Sequence, residues 1–422
     1  MVFMGKLRDK LAILADAAKY DASCASSGAR KKSSRNDKGE IGSTGGVGIC
    51  HSYTPDGRCV SLLKVLFTNH CIFDCSYCVN RASSPSKRAS FTVEELVWIT
   101  MEFYKRNYIE GLFLSSGVVG SSDDTMQQLV EVARRLRVSE NFRGYIHLKA
   151  VAGCSQELIR KASLFADRIS SNIEMPKQKD LDIFAPGKSH KVIEKGMSAI
   201  SDVVAEAKED RKANRSSPIS ATGQSTQFIV GATPDSDASL LSKANYLYQG
   251  YQLKRVYYSA YSPIPDSDHR LPGKSPPLQR ENRLYQADWL MRFYGFSVDE
   301  IVPDKHPNLD LNKDPKHAWA LQNRELFPVD INRAEREMLM RVPGLGIRSV
   351  DKILKARRYR RLTLDHLREL KVRLSLAKFF ILVEGPNPFL SHLLVEDLDQ
   401  ITKKTYQPSL FDSDQAAKTG EV

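Results

Sequence analysis

The sequence lacks any apolar stretch near the roughly 18 residues that cross a bilayer, which excludes a membrane-spanning helix. It also lacks a secretory signal, because charged residues interrupt its N-terminal segment every few positions. Cysteine is scarce and odd in number, with seven in 422 residues, and this does not suit a disulfide framework. These absences predict a cytoplasmic chain with reduced thiols, long enough for more than one domain.

Three of the seven cysteines nevertheless lie within eight residues, at Cys71, Cys75 and Cys78. They follow an apolar run, residues 60–67, that predicts a buried strand, so the thiols belong to the loop at its carboxyl end. Thiolates this close in sequence bind zinc or an iron–sulfur cluster. No fourth cysteine lies nearby downstream. Three ligands leave one metal position open, which favours catalysis over a structural role.

The Cys-x3-Cys-x2-Cys spacing, with Tyr77 before the last cysteine, resembles the radical S-adenosylmethionine (SAM) superfamily. The resemblance implies a [4Fe-4S] cluster on the three cysteines, with SAM on the fourth iron. It further implies that the reduced cluster cleaves SAM to a 5′-deoxyadenosyl radical, with electrons from a donor such as flavodoxin or ferredoxin. The alternative to the cluster is a zinc site completed by His70, His51 or Cys59. A second metal site on Cys24, Cys50 and Cys59 is a further hypothesis.

Apolar strand-like runs alternate with helical patterns from residue 60 to about 262. This alternation predicts an α/β fold with a parallel sheet wrapped by helices. Six such units match the partial (β/α)6 TIM-like barrel that the resemblance implies, with functional loops at the carboxyl ends of the strands. The predicted strands are residues 60–69, 111–116, 145–151, 168–175, 226–231 and 255–261, and the clearest crossover helices are 92–106, 124–137 and 156–166.

Polar residues end several of these strands, where the superfamily binds its cofactor. In place of the Gly-Gly-Glu-like motif of relatives, the second strand ends in serines, which are less certain ligands. Lys149 is expected to pair with the methionine carboxylate. The resemblance implies that SAM contacts Tyr77, Ser115, Ser116, Gly117, Lys149, Asn172, Glu174, Ile229 and Gly231.

Positive charge is concentrated between residues 333 and 378, with fourteen Lys and Arg against five Asp and Glu. The segment contains Val342-Pro343-Gly344-Leu345-Gly346 between two helical patterns, which resembles a helix-hairpin-helix module. Glycines allow positive φ, so that amide N–H groups at the start of the second helix point outward and bind phosphate. The predicted nucleic-acid contacts are Gly344, Leu345, Gly346, Arg348, Ser349, Lys352, Arg357 and Arg358, on DNA or alternatively on structured RNA.

A degenerate second hairpin is predicted between residues 363 and 381. Beyond it, the acidic tail contains Gln407-Pro408-Ser409-Leu410-Phe411, which resembles a short peptide that binds the sliding clamp. In that hypothesis Gln407, Leu410 and Phe411 contact the clamp. The predicted domains are 1–59 (N-terminal helix and basic loop), 60–325 (barrel with helical extension), 326–385 (small all-α hairpin domain) and 386–422 (flexible acidic tail).

Over nearly its full length the chain resembles a family of radical SAM proteins associated with DNA modification or repair. This family is often encoded beside a uracil-DNA-glycosylase-like protein, which is therefore a candidate partner. The matching segments include AAKYDASC, DGRCVSLLK, CIFDCSYCVNRASS and LYQADWLMRFYGF. The resemblance implies radical chemistry on DNA; the alternatives are an RNA-modifying radical SAM enzyme, for example one acting on transfer RNA, and a non-catalytic, zinc-stabilised DNA-binding protein.

Overall fold

The computed structural model describes residues 2–18, 49–53, 59–213, 216–394 and 398. They form two compact units, Met1–Asp235 with Lys243–Pro277, and Ser236–Ser242 with Leu278–Val422. The division at residue 277 lies inside the range assigned to the barrel from the sequence. Among the described helices, none is long and apolar enough to span a bilayer.

The first unit is built on a seven-stranded sheet whose strands follow one another in chain order. Its strands are β1 (Ile49–Tyr53), β2 (Cys59–Leu66), β3 (Gly111–Ser115), β4 (Tyr145–Lys149), β5 (Arg168–Ser170), β6 (Gln224–Val230) and β7 (Arg255–Ala260). β2 to β7 are parallel, and β1 pairs antiparallel with β2. The sheet is therefore the predicted partial (β/α)6 barrel, with one antiparallel edge strand that was not predicted.

Helices cover the sheet as the crossover connections require. They are α1 (Val2–Ala17), α2 (Val93–Lys105), α3 (Ser122–Val138), α4 (Gln156–Phe165), α5 (Gln178–Phe184), α6 (His190–Lys212) and α7 (Asp237–Tyr251). Capping boxes begin two of them: Thr92 with Glu95 at α2, and Ser121 with Asp124 at α3. One core joins buried strand residues such as Leu114 to buried helix residues such as Leu129. The three crossover helices expected from the sequence are confirmed as α2, α3 and α4.

The strand predicted over residues 168–175 is shorter than expected, because regular pairing ends at Ser170. Beyond this point Ile173 N–H donates to the side-chain oxygen of Thr226 rather than to a backbone carbonyl, at 2.9 Å. Glu174 has φ of +65° and makes only an isolated bridge to Phe228. The left-handed backbone at Glu174 ends the strand and turns the chain.

The second unit has a separate core. Its elements are α8 (Leu278–Phe293), α9 (Val298–Ile301), α10 (Pro315–Gln322), β8 (Val329–Asp330), α11 (Arg336–Arg341), α12 (Ile347–Ala356), α13 (Leu364–Glu369), α14 (Leu374–Ala377) and β9 (Ile381–Leu382). β8 and β9 pair in parallel. Aromatic rings fill the core, with Phe327 in edge contact with both Trp319 and Phe380. The short helices α13 and α14 lie where the degenerate second hairpin was predicted, between residues 363 and 381.

Candidate cofactor site and basic hairpin

The loop between β2 and α2 contains all three clustered cysteines. Cys75 is only 5% exposed, whereas Cys71 and Cys78 are half-buried. A backbone hydrogen bond from Cys78 N–H to the Cys75 carbonyl, 2.8 Å long, closes the turn between the last two cysteines. Ile72 N–H donates to the Val118 carbonyl at 2.8 Å and ties the loop to the end of β3. All three cysteines are free thiols, fixed at the carboxyl edge of the sheet.

The sulfur atoms of this loop lie near enough for the charge of one cysteine to affect the pKa of another. Burial raises the pKa of the Cys75 thiol, and the neighbouring charge of Cys71 adds to the rise. Burial likewise raises the pKa of Cys78 to about 11, again with contributions from the other two cysteines. Without a metal, Cys75 and Cys78 are therefore protonated at neutral pH, and binding a metal would release their protons.

Backbone N–H groups point at two of the sulfur atoms. Val118 N–H lies 3.5 Å from the Cys71 sulfur, and Asn80 N–H lies 3.4 Å from the Cys78 sulfur. Hydrogen bonds to a cysteine sulfur stabilise its thiolate form and tune an iron–sulfur cluster bound to it. The donors come from the β3 loop and from the cysteine loop itself.

A buried ion pair that the sequence analysis missed lies beside the thiols. Lys188 Nζ is 3.0 Å from a carboxylate oxygen of Glu174 and 3.5 Å from the Tyr77 hydroxyl. Burial acts to lower the pKa of Lys188, but the charge of Glu174 and its hydrogen bond to Lys188 help to hold this pKa well above its usual value. Lys188 is therefore a permanent positive charge that faces the cysteine site.

Two features follow β3: there is no room for a side chain at Gly117, and the Ser116 hydroxyl lacks a hydrogen-bond partner among the described residues. A side chain at Gly117 would place its Cβ 2.1 Å from the His70 carbonyl oxygen, so only glycine fits beside the cysteine loop. Ser115 is buried within the sheet, where its carbonyl accepts from Phe67 N–H at 2.8 Å. The Ser116 hydroxyl is buried without a hydrogen-bond partner among the described residues. Such an orphaned group fits a site that a polar ligand completes.

The residues of the later strands that are predicted to contact SAM also lie at the carboxyl edge of the sheet. Lys149 ends β4 opposite Ser170. Asn172 donates to the Gln227 side-chain oxygen at 3.1 Å, and Ile229 N–H donates to the Glu174 carbonyl at 2.7 Å. The Glu174 carboxylate, which is predicted to contact SAM, lies 3.0 Å from Lys188 Nζ.

Gly231 follows β6 with φ of +79°, a conformation that side chains rarely adopt. An added Cβ there would lie 2.8 Å from Pro276. Tyr77 and Ile229 pack against a small apolar cluster made of Met175, Phe184, Ala232, Tyr261 and Leu271. This cluster gives the edge an apolar wall beside its polar groups.

The donor set fits an iron–sulfur cluster, because three free thiols lie on one loop beside the largely buried cation Lys188. In the part of the chain that the structure describes, no three His, Cys, Asp or Glu side chains converge on a single metal ion. Ligands of one ion all lie within about 2.3 Å of it, whereas each thiolate of a cubane binds a different iron. The thiolates of a cluster are consequently held further apart.

In the second unit, the turn at residues 342–346 joins α11 to α12, and residues 336–356 are here called the basic hairpin. Gly344 has φ of +82°, whereas Gly346 is extended, with φ of −89°, as the N-cap of α12. Only Gly344 therefore needs the freedom of glycine, contrary to the expectation that both glycines turn with positive φ. Leu345 is buried in the core and can offer a ligand only its backbone.

The predicted basic contacts differ in their exposure. Arg348 and Arg358 are exposed, and Ser349 is half-buried. Lys352 is exposed and donates to the Leu370 carbonyl at 2.8 Å. Arg357 donates to the carbonyls of Ile331 and Ala334, at 3.1 and 2.6 Å, and thus anchors the end of α12 within its own unit.

A second buried lysine was not found from the sequence. Lys316, on α10, donates to the Leu345 carbonyl at 2.6 Å and lies 4.7 Å from the centre of the Tyr294 ring. Burial lowers its pKa to about 7, against a smaller opposing effect of Asp314. The burial of Lys316 depends on a tertiary contact between α10 and a turn 29 residues later, and the sequence alone does not reveal this contact.

Several predicted residues lie outside the described part of the chain. Cys24, Gln407, Leu410 and Phe411 belong to this group. Cys50 lies on β1 and Cys59 begins β2. The second metal site and the clamp-binding peptide therefore stay predictions.

No protein-family model matches this sequence, and no curated protein is significantly similar to it. Solved structures with a related fold include the FeFe-hydrogenase maturase HydG of Carboxydothermus hydrogenoformans, at 14% identity and a TM-score of 0.42 over 54% of this chain and 50% of that chain. Methylornithine synthase PylB gives 14% identity and a TM-score of 0.39, over 48% and 53% of the two chains. SuiB of Streptococcus suis gives 11% identity and a TM-score of 0.39, over 53% and 45%.

The match thus spans about half the length of each of these three proteins. A further structure in this set is SuiB bound to S-adenosylmethionine. Identities of 14% or less at these TM-scores say nothing about the substrate of this chain. Its function is therefore inferred from its own residues.

Proposed function

We propose that this chain is a radical SAM enzyme that modifies or repairs DNA. The observation on which the proposal depends is the group of three free thiols on one loop at the carboxyl edge of a partial barrel. That edge is where barrels of parallel strands place their reactive groups. A buried cation, Lys188, and an orphaned hydroxyl, Ser116, adjoin the same site.

In this proposal Cys71, Cys75 and Cys78 hold the cluster. When bound, the [4Fe-4S] cluster and SAM supply, after transfer of one electron from a low-potential donor, a 5′-deoxyadenosyl radical that removes a hydrogen atom from the substrate. The Lys188 ammonium offsets the negative charge of the thiolates. Glu174 orients Lys188 and is a positioning residue.

The remaining edge residues would seat SAM. Its polar end would meet the Ser116 hydroxyl and Lys149, beside the close contact between Gly117 and the cysteine loop. Asn172 and the backbone at Ile229 and Gly231 would bind its other groups, together with Tyr77 and the β3 backbone at Ser115. The apolar cluster around Tyr261 would keep water from the reacting atoms.

The second unit supports a nucleic-acid substrate. The turn at Gly344 begins α12, whose N-terminal N–H groups carry partial positive charge. Arg348 and Arg358 are exposed on the same module and would add attraction for phosphates. A base within a duplex would have to be extruded to reach the barrel edge. The hairpin favours DNA over RNA in this proposal.

Three partners follow from the sequence resemblance and belong to the proposal. A flavodoxin or ferredoxin would reduce the cluster. A uracil-DNA-glycosylase-like protein would act with the enzyme on DNA. The sliding clamp would bind the peptide that contains Leu410 and Phe411, which a pull-down with both residues changed to alanine would test.

Anaerobic reconstitution with iron and sulfide tests the chemistry. We expect brown protein with a four-iron cluster that cleaves SAM to 5′-deoxyadenosine, and we expect deuterated DNA to transfer deuterium into that product. Cys75→Ser should lose cluster and cleavage, whereas the control Cys154→Ser, a free cysteine outside the motif, should keep both.

Colourless protein with zinc as its sole metal would overturn the proposal and leave a DNA-binding protein. Transfer of deuterium from RNA but not from DNA would assign the enzyme to RNA.

A further inference from the structure

An exposed tyrosine lies in the basic turn that follows α12. Tyr359 follows α12 within Arg357-Arg358-Tyr359-Arg360-Arg361, and 83% of its surface is accessible. Its backbone is fixed, because Tyr359 N–H donates to the Ala356 carbonyl at 3.1 Å and Arg357 anchors the turn. A large aromatic ring held out into solvent on an ordered turn buries no apolar area of its own and is available to a partner.

A basic stripe leads along α12 to this ring. Arg348, Lys352 and Lys355 are all exposed and are spaced by four and three residues, so they lie on one face of the helix. The only acid of α12, Asp351, is paired with Arg336 at 3.0 Å. The exposed surface of this face is therefore positive from the hairpin turn to Tyr359.

We infer that this stripe and Tyr359 bind a DNA strand that has an unpaired base, with the backbone along the stripe and the base stacked on the tyrosine ring. The inference rests on the proposed function and narrows its substrate class. The charge of the stripe is complementary to a phosphate backbone, and the exposed ring offers a face to any base. Arg358, exposed beside the ring, would bind an adjoining phosphate, whereas Arg360 on the other side is exposed but paired with Glu369 at 3.2 Å.

The length of α12 sets the spacing of the two contacts. Its ten residues span about 15 Å, at 1.5 Å per residue. Phosphates at the Gly346 end and at the Ala356 end would thus be separated by about four steps of the 3.4 Å rise along one strand, and Tyr359 lies three residues beyond the helix. At a gap, bulge or damaged site the base is already unpaired. The free-energy cost of moving it out of the stack is therefore lowest there.

Binding of the full-length protein to two DNA probes at a stated salt concentration tests the inference. The probes are an intact duplex and the same duplex with one bulged 2-aminopurine, whose fluorescence is quenched on stacking. We expect wild type to bind the bulged probe about tenfold more tightly and to quench it. Tyr359→Phe should keep the preference because it keeps the ring, and Tyr359→Leu should lose both preference and quenching.

The variant Arg348→Gln separates this inference from the proposed function. It should weaken binding to both probes alike and lower the salt dependence by about one phosphate contact. If Arg348→Gln has this effect but Tyr359→Leu keeps the preference and the quenching, the stacking site is wrong and the hairpin proposal stands. If wild type binds neither probe, both are wrong.

Discussion

At the scale of single residues, the cysteine site depends on one glycine as well as on its thiols. Gly117 N–H donates to the Thr68 carbonyl at 2.7 Å, and its α-carbon faces the His70 carbonyl, next to Cys71. A Cβ at 2.1 Å from a backbone oxygen cannot be relieved by a rotamer change. The β3 loop and the cysteine loop must therefore move apart if this position carries a side chain.

Gly117→Ala should accordingly destabilise the barrel by about 2 kcal/mol and reduce iron incorporation, as overpacking displaces the cysteine loop. Thermal unfolding and iron content after anaerobic reconstitution measure the two effects. Gly196→Ala is the matched control, because its Cβ would meet only Ile159 Cδ1 at 3.8 Å and alanine favours the helix α6. Equal melting temperatures for the two variants would contradict this account of the loop.

Lys316 gives a residue-scale prediction about pH. Its pKa is about 7 in the folded chain, against an ordinary value of 10.5. Between these values the unfolded chain binds a proton that the folded chain does not, so stability rises with pH by at most about 1.4 kcal/mol per unit. This contribution is complete above the unfolded pKa and is lost as the pH falls through the folded value.

Lys316→Met should remove this pH dependence, because methionine fills a similar volume without charge. Urea unfolding of the second unit at pH 7 and pH 9 measures it, and the difference between wild type and variant cancels the other titrating groups. We expect wild type to gain about 2 kcal/mol more than the variant between these pH values. A gain of the same size in both proteins would show that Lys316 stays charged across this range.

At the scale of elements, local patterns and tertiary contacts contribute different information. The nearly continuous apolar run that ends at Phe67 predicts a strand, and the structure buries most of this run. The spacing of the three cysteines is enough by itself to predict a metal site. β5 is shorter than its apolar pattern because the backbone of Glu174 turns to positive φ, which residue type does not reveal. The edge strand β1 is a short sequence of mixed polarity, ICHSY. It has no hydrophobic periodicity that would predict its pairing with β2.

The two buried lysines show why the site could be predicted only in part. Lys188 lies in a turn before α6, and its partner Glu174 is 14 residues earlier in sequence. Lys316 meets the hairpin through a carbonyl oxygen, an acceptor that every residue has. Cofactor ligands with a fixed spacing are readable from sequence, whereas the charges that surround them depend on how distant loops pack.

At the scale of the whole molecule, α7 links the two units. Its first turn belongs to the second unit, whereas the helix from Lys243 onward belongs to the barrel unit. Asp237, in that first turn, is 1% exposed; its carboxylate pairs with Arg280 at 2.8 Å and accepts from Leu309 N–H at 2.9 Å. Both partners belong to the second unit, so the carboxylate stabilises that unit although it is encoded within the barrel sequence.

Asp237→Ala should therefore destabilise the second unit by about 3 kcal/mol, because it breaks a buried ion pair and removes an acceptor from Leu309. Hydrogen exchange followed by mass spectrometry measures the loss separately in peptides from residues 278–394 and from the barrel. Asp304→Asn, at an exposed position of the same unit, is the control and should change nothing. Because both partners of Asp237 lie in the second unit, barrel peptides should keep their protection; an equal loss in the two sets of peptides would mean that the units unfold as one.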